Sequence, residues 1–421
     1  MHTTSLSMPA SHAMKPLHLV IRQAEFLRCV RMILLDPSRM AVCRVRRRET
    51  GEALEFLLDH WTLSEATPNG QDLPPLSDWG VITKDFDQAM SPQALLKRVQ
   101  PKSSQSVVGI CLQAENPNAF PTLVFDQGTW RTPESIRFVG AGMLTLPDVF
   151  DDSAVTLRES RTAGALGPLF PRLKASSIAL IGAGRGGQEL ARQFVAAGLR
   201  RLTVVDADRL AIENLDAMPL ARVADLDCNK GEQLAAALRQ NQPDATISWT
   251  PRSIWHPESL RKLRETRVDA VFSFVDRDAA RLTAARLCQE TTTVHIDIGT
   301  NVQRNADGSR SMTADIRLFE PHEGCVACVP PMDDLSDVLY EIATPEDCLH
   351  RGVPVAWHEQ RAGSLLYLNS FACAIAIETW FAWLAGKLPT SHWVRVEWPE
   401  FGLPEVRAGS VGPRQDCSFC K

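Results

Sequence analysis

The chain has 421 residues, 44% of them apolar and 23% charged, with a formal net charge of −5. That composition is ordinary for globular proteins and excludes a disordered chain; at roughly 100–200 residues per domain, the length points to two or three domains. The negative balance argues against a general nucleic-acid binder, whose basic face would show in the count.

Residues 1–14 lack the basic-then-apolar pattern of a secretory signal and read as a flexible leader. Over residues 15–155, short apolar runs (MAVCRV, ALEFLLDHW, SVVGICLQA, TLVFDQGTW) alternate with turn residues. They predict an α+β domain rich in strands. Trp61, Trp79 and Trp130 read as core or packing residues, and the Arg44–Arg48 run as the solvated face of a strand. Near residue 156 the character changes. SSIALI (176–181) predicts a strand buried in a parallel sheet, followed by a glycine loop, the helical QELARQFVAAG and a second strand, Leu202–Asp206. Alternation continues to about Gly299, which predicts a doubly wound, Rossmann-like α/β domain over 156–421. Ser364–Gly386 is apolar, but Asn369 and Glu378 interrupt it, so it predicts a buried helix and no membrane span. A soluble, cytoplasmic protein is expected.

Gly182, Gly184 and Gly187 form G-x-G-x-x-G between a strand and a helix. The first allows a tight turn, the second close approach to phosphate oxygens, and the third packing of the helix on the sheet; the helix N-terminus favours an anion. The motif alone does not separate NAD, FAD and ATP. Asp206 ends the next strand, where a carboxylate can hold a ribose hydroxyl. Lys230 and Asp276 discriminate further: a lysine facing phosphates and a carboxylate at a strand's end suit a triphosphate with magnesium and have no evident use in hydride transfer.

Eleven cysteines, an odd number in a long chain, do not make a disulfide framework. Cys325-Val326-Ala327-Cys328 and Cys417-Ser418-Phe419-Cys420 are two C-x-x-C knuckles that could complete a tetrahedral zinc site of four thiolates. Cys288 and Cys373, inside apolar helical runs, read as packing residues.

Three features together carry a resemblance: D-x-D-x-x-x-x-x-N-L at 206–215, a lysine sixteen residues after Asn214, and V-D-x-x-x-x-R at 275–281. They resemble the ThiF/MoeB/ubiquitin-activating-enzyme superfamily across residues 156–421. The resemblance implies adenylation of the C-terminal glycine of a ubiquitin-like protein by ATP. Asp206 would hold the ribose, Asn214 and Lys230 would contact the phosphates, Asp276 would position magnesium, and Asp208 of the same motif would belong to the cofactor-binding set. Arg158 and Arg161 are similar to paired arginines of the family, one of which reaches a neighbouring subunit's site and implies a homodimer. Cys348, flanked by His350 and Arg351, resembles a thioester-forming cysteine that passes the carrier to a conjugating enzyme. The acidic loop after Cys328 (Asp333, Asp334, Asp337, Glu341, Glu346, Asp347) would receive the carrier's tail.

One departure stands out. The family's N-L-x-R reads Asn214-Leu215-Asp216-Ala217 here, which leaves Arg185 or Arg222 as the replacement. Residues 15–155 loosely resemble the JAB/MPN isopeptidase fold without its histidines, an inactive recognition domain. The combination suggests a bacterial ubiquitin-like conjugation pathway, with antiphage defence as one setting. The alternatives are a sulfur-carrier adenylyltransferase of the thiamine or molybdopterin type, an NAD-dependent oxidoreductase, and a nucleotide-binding scaffold without catalysis.

Overall fold

A computed structural model describes residues 15–35, 39–50, 53–65, 79–84, 106–112, 122–140, 142–146, 155–304, 309–329, 365–388, 390–399 and 402–420. The chain divides into two compact units, one of Met1–Val20 and Arg28–Ile136, the other of Ile21–Leu27 and Arg137–Lys421. The leader at 1–14, residues 113–121 and the whole stretch 330–364, with Cys348 and the acidic loop, lie outside the described residues.

In the first unit, strands β1 (Leu17–Arg22), β2 (Arg39–Glu49), β3 (Leu54–Glu65), β4 (Trp79–Lys84), β5 (Val107–Leu112), β6 (Thr122–Asp126) and β7 (Thr129–Arg131) lie in the order β7-β6-β5-β4-β2-β3-β1. Helix α1 (Gln23–Leu35) follows β1. Trp61 is buried as expected, whereas Trp130 is 38% exposed and packs its ring against Phe125 at 4.8 Å. The arginine run keeps partial exposure, with Arg47 exposed, but it is also ion-paired. Arg44 and Arg48 stand directly opposite Asp59 and Glu55 in the β2–β3 ladder, and both carboxylates are fully buried. Arg44 Nε and Arg46 Nη2 reach Asp59 at 2.8 and 2.6 Å, and Arg48 pairs with Glu55. These cross-strand ion pairs cover a face that the alternation alone assigned to water.

Strands β8 (Ser135–Gly140) and β9 (Gly142–Leu146) come next in the chain. The second unit holds an eight-stranded sheet of β10 (Ser177–Ile181), β11 (Arg201–Val205), β12 (Thr246–Thr250), β13 (Ala270–Ser273), β14 (Val294–Arg304), β15 (Arg310–Phe319), β16 (His392–Trp398) and β17 (Glu405–Ser410). Its order is β12-β11-β10-β13-β14-β15-β16-β17, parallel from β12 to β14 and antiparallel from there on. The helices are α2 (Ser160–Leu166), α3 (Leu169–Ala175), α4 (Arg185–Ala197), α5 (Lys230–Asn241), α6 (Pro257–Glu265), α7 (Asp278–Thr291) and α8 (Leu366–Leu384). β10 is all-buried and pairs in parallel on both sides, as a continuous apolar run requires. The chain turns back at β10, with β11 on one side and β13 on the other, and this reversal of direction opens a crevice at the strands' carboxyl ends.

Helix α8 is the buried element that Ser364–Gly386 predicts. Trp380 and Trp383 are fully buried, and the rings of Phe194, Phe272 and Trp380 stand edge-on at 4.9–6.2 Å. Asn369 is buried too, accepting from the Thr300 hydroxyl at 2.8 Å. Among the described residues no helix is long and apolar enough to cross a membrane. Cys288 and Cys373 are buried in helices, and desolvation pushes both thiols far above the usual range.

Candidate functional site

The site starts at the carboxyl end of β10. Gly182 has φ +95°, and a Cβ there would lie 2.5 Å from the Phe274 carbonyl oxygen. A Cβ on Gly187 would lie 1.9 Å from the Gly182 carbonyl oxygen, so only glycine lets α4 start this close to the loop. Gly184, by contrast, has open space where a Cβ would stand, and no side chain caps the first turn of α4 behind it. The loop therefore presents backbone N–H groups to the open space beside Gly184, an arrangement suited to an anion. Gly187→Ala is expected to destabilise the protein by about 1–3 kcal/mol or more, while Gly184→Ala shifts stability by under about 1 kcal/mol. Thermal unfolding of the two variants checks this, and equal midpoints would refute it.

Asp206 follows β11 and is half-buried. Its two oxygens accept from the Ala183 N–H at 2.5 Å and the Asp208 N–H at 2.7 Å. Burial pushes its carboxyl above the usual range despite these donors. The glycine loop and the Asp206–Asp208 turn are thus fastened to one another. Lys230, at the start of α5, closes the same turn: its Nζ meets Asp208 Oδ2 at 2.9 Å and its backbone N–H the Asp208 carbonyl at 2.9 Å. Asn229 organises both. Its Oδ1 caps α5 through the N–H groups of Gly231 and Glu232, and its Nδ2 donates to the carbonyls of Asp206 and Asp208. The sequence reading passed over Asn229, although an asparagine one residue before a helix is a capping signal.

A cavity of about 560 Å³ spans this crevice. Gly182, Gly184, Asp206, Asp208, Asn214, Lys230 and Asp276 all line it. Gly187 packs behind the loop. Asn214 ends a 3-10 turn, Ile212–Asn214, and its Oδ1 accepts from the Ala211 N–H. Ala217 is buried. Of its two possible replacements, Arg185 lines the cavity and donates to the Glu213 carbonyl and Asp216 at 2.7 and 2.9 Å, over the turn that carries Asn214. Arg222 is exposed and is not among the lining residues. Neither Arg158 nor Arg161 lines the cavity: both are exposed, and Arg158 donates to the Asn241 carbonyl.

Asp276 is exposed just beyond β13, at a backbone fastened from below. Arg281, on α7 and lining the cavity, donates to the Val275 carbonyl at 2.8 Å and to Asp297 at 3.0 Å. Asp297 is fully buried and also accepts from Arg317 at 2.6 Å and Ser273 at 2.7 Å. The two guanidinium groups hold its carboxyl below the usual range against the opposing effect of burial. Charge on Arg281 is thus compensated from behind, and its position is set by a buried cluster that no local motif reveals.

The four knuckle cysteines converge. Cys325, Cys328, Cys417 and Cys420 are buried, with all four sulfur atoms within 4.8 Å of one another. Sγ separations of 3.9 Å (325–328), 3.7 Å (325–417) and 3.6 Å (328–420) are too long for disulfides. They match the edge of about 3.8 Å that a tetrahedron with metal–sulfur bonds of about 2.3 Å requires. The donor set fits a structural zinc ion.

Residues 160–386, more than half of the chain, match the ThiF family. The ubiquitin-like modifier-activating enzyme 5 of Bombyx mori is 25% identical over 173 residues, 39% of this chain and 42% of that protein. The SUMO-activating enzyme subunit uba-2 of Caenorhabditis elegans is 27% identical over 128 residues, 30% of this chain and 22% of that protein. The chain thus covers less than half the length of these curated relatives. Among solved structures, Escherichia coli MccB with ATP aligns at a TM-score of 0.48 and 17% identity, over 66% of this chain and 77% of that one.

Proposed function

Because the chain belongs to the ThiF family, we propose that it activates the C-terminal carboxylate of a ubiquitin-like protein with ATP. The observation that carries this reading is the convergence of Gly184, Asp206, Asn214, Lys230 and Asp276 on one cavity. An ATP molecule laid along it would have its phosphates at the Gly184 cradle and Lys230 and its ribose at Asp206, and Asp276 would hold magnesium. The carrier's carboxylate attacks the α-phosphorus, forming an acyl-adenylate as the bond to pyrophosphate breaks. Lys230 and Arg185 neutralise charge on the departing phosphates, and magnesium, when bound at Asp276, would supply further positive charge there. Arg185 fills the role left open by Ala217. Zinc on the Cys325–Cys328 and Cys417–Cys420 knuckles closes the C-terminal end of the fold and takes no part in the reaction.

In the second step the Cys348 thiolate attacks the acyl carbon and AMP leaves, giving a thioester for transfer to a conjugating enzyme. Support for this step is the place of Cys348 in the sequence, between the first knuckle and α8. Arg161 and Arg158, exposed and off the chain's own cavity, suit a homodimer in which one of them serves the partner's site. A cytoplasmic ubiquitin-like conjugation pathway, bacterial and serving antiphage defence, is the setting this chemistry fits. The sulfur-carrier reading shares the first step and dispenses with the second.

ATP–pyrophosphate exchange with a candidate Gly-ending carrier tests the first step. A non-reducing gel of wild type and Cys348→Ala tests the second. Exchange with a thiol-sensitive adduct lost in the variant is expected. Exchange without any adduct would remove Cys348 from the mechanism and leave adenylation in place. ATP binding without exchange would leave a nucleotide-binding scaffold, a reading that the buried Ala217 favours.

A further inference from the structure

We propose that Arg317 couples the four-cysteine cluster to the nucleotide cavity, so that nucleotide affinity rises when the cluster holds its metal. This link rests on the nucleotide reading and on the zinc-suited donor set above, and it adds a regulation that neither site shows alone. Two guanidinium groups share a single oxygen of one buried carboxylate. Arg281 Nη1 and Arg317 Nη2 both donate to Asp297 Oδ2, at 3.0 and 2.6 Å. The other oxygen is taken, because the Ser273 hydroxyl donates to Oδ1 at 2.7 Å. A hydroxyl has one proton, so His295 Nε2, 2.8 Å away, is the donor to Ser273, and the carboxylate is fixed from behind.

Each arginine has a second bond. Arg281 Nη2 holds the Val275 carbonyl at 2.8 Å, one residue before Asp276, and all three residues line the cavity. Arg317 Nη1 holds the Val329 carbonyl at 2.6 Å. Val329 directly follows Cys328 and packs against the knuckle cysteines. The Arg317 side chain is only 12% exposed, and its Nε has no hydrogen-bond partner among the described residues. Water therefore replaces a lost acceptor poorly. With metal bound, Cys328 is fixed and the Val329 carbonyl stays within reach. Without it the knuckle loosens, the carbonyl withdraws, and Nη1 turns to the nearest anion, Asp297. A two-pronged hold by Arg317 on Asp297 displaces the longer bond from Arg281. Arg281 then moves, and the backbone that carries Asp276 moves with it. Two cations face one anion here, so Arg317 can be removed without leaving a buried charge unpaired.

Calorimetry of Mg–ATP binding to the full chain tests the link in the zinc-loaded form, after a zinc-selective chelator, and after zinc is restored. In wild type, zinc removal is expected to weaken Mg–ATP about ten-fold, a usual size for coupling between sites, and restoration to recover it. Coupling is reciprocal, so saturating Mg–ATP should tighten zinc by the same factor in competition with a chromophoric chelator. Arg317→Met keeps the apolar stem and removes both bonds. Arg281 then has Asp297 to itself, and the variant should bind Mg–ATP at the zinc-loaded wild-type affinity in both metal states. A wild-type ratio of one would overturn the proposal. Equal losses on chelation in wild type and Arg317→Met would also overturn it, because zinc would then act only by holding the fold together. Weak Mg–ATP in both metal states of the variant would do the same, since Arg317 would then merely support the cavity. Should Arg317→Met fail to fold, Arg317→Lys keeps the charge but cannot span two acceptors, and the ratio should fall below about three-fold. An undiminished ratio there sinks the link. Wild type that binds zinc but no Mg–ATP removes the nucleotide reading and the coupling together. Wild type that binds Mg–ATP but no zinc removes the metal assignment and the coupling, and leaves the nucleotide reading in place.

Discussion

Lys230→Ala is expected to slow ATP–pyrophosphate exchange by about 10²–10³-fold, the loss typical when one preorganised charge partner of a transition state is removed. The ammonium is held nearly out of water, with only 12% of the side chain exposed, by one partner, Asp208, which is itself 68% exposed. Such a pair contributes little to stability, because a solvated carboxylate loses little when its partner goes. Alanine is also a good helix former at the first position of α5, and the Asn229 cap remains. The unfolding midpoint should therefore stay close to wild type while exchange collapses. Lys230→Arg, which keeps charge but spreads it over a plane, should recover only part of the rate. Exchange at the wild-type rate in Lys230→Ala would remove the lysine from the phosphate site.

The second large effect concerns the cysteines. Purified protein is expected to carry one zinc ion per chain, and Cys417→Ser with Cys420→Ser, or exhaustive chelation, should lower the unfolding midpoint by on the order of 10 °C. The reason is geometric. The knuckle at 417–420 returns to its partner across 89 positions of chain, and the buried sulfur cluster packs with Leu282, Phe319 and Val411. Without an ion the thiols oppose one another. Hydrogen bonding to Cys420 holds the Cys325 thiol below the usual range, while the same contact with Cys325 pushes the Cys420 thiol above it. A cation lets all four be thiolates at once. Elemental analysis showing no bound metal, with a midpoint indifferent to chelator, would refute the assignment.

The elements most readily read from the residues were those whose cause lies within one short stretch. The β10–loop–α4 unit is contiguous, and each glycine's role in it follows from backbone sterics between near neighbours. Helix α8 is legible from a long apolar run that only Asn369 and Glu378 interrupt. The antiparallel extension β15–β17 was not read, although β15 alternates half-buried and buried positions along its length. The ion pairing of the arginine run was not legible because its carboxylates sit on β3, and their register depends on a shift between Val42 and Arg44.

The residues of the candidate site divide along the same line. Gly182, Gly184, Gly187, Asp206, Asn214, Lys230, Asp276 and the four knuckle cysteines follow from spacing, because strand ends and helix starts put such residues at predictable places. That Arg185 stands over the Asn214 turn, that Asp297 holds Arg281 against the Val275 carbonyl, and that Arg317 spans Asp297 and Val329 depended on how the strands cross over. Each of these contacts joins side chains from different loops or strands, and no period or motif along the chain encodes a distance between them. Strand order does, and strand order is settled by burial of the whole sheet.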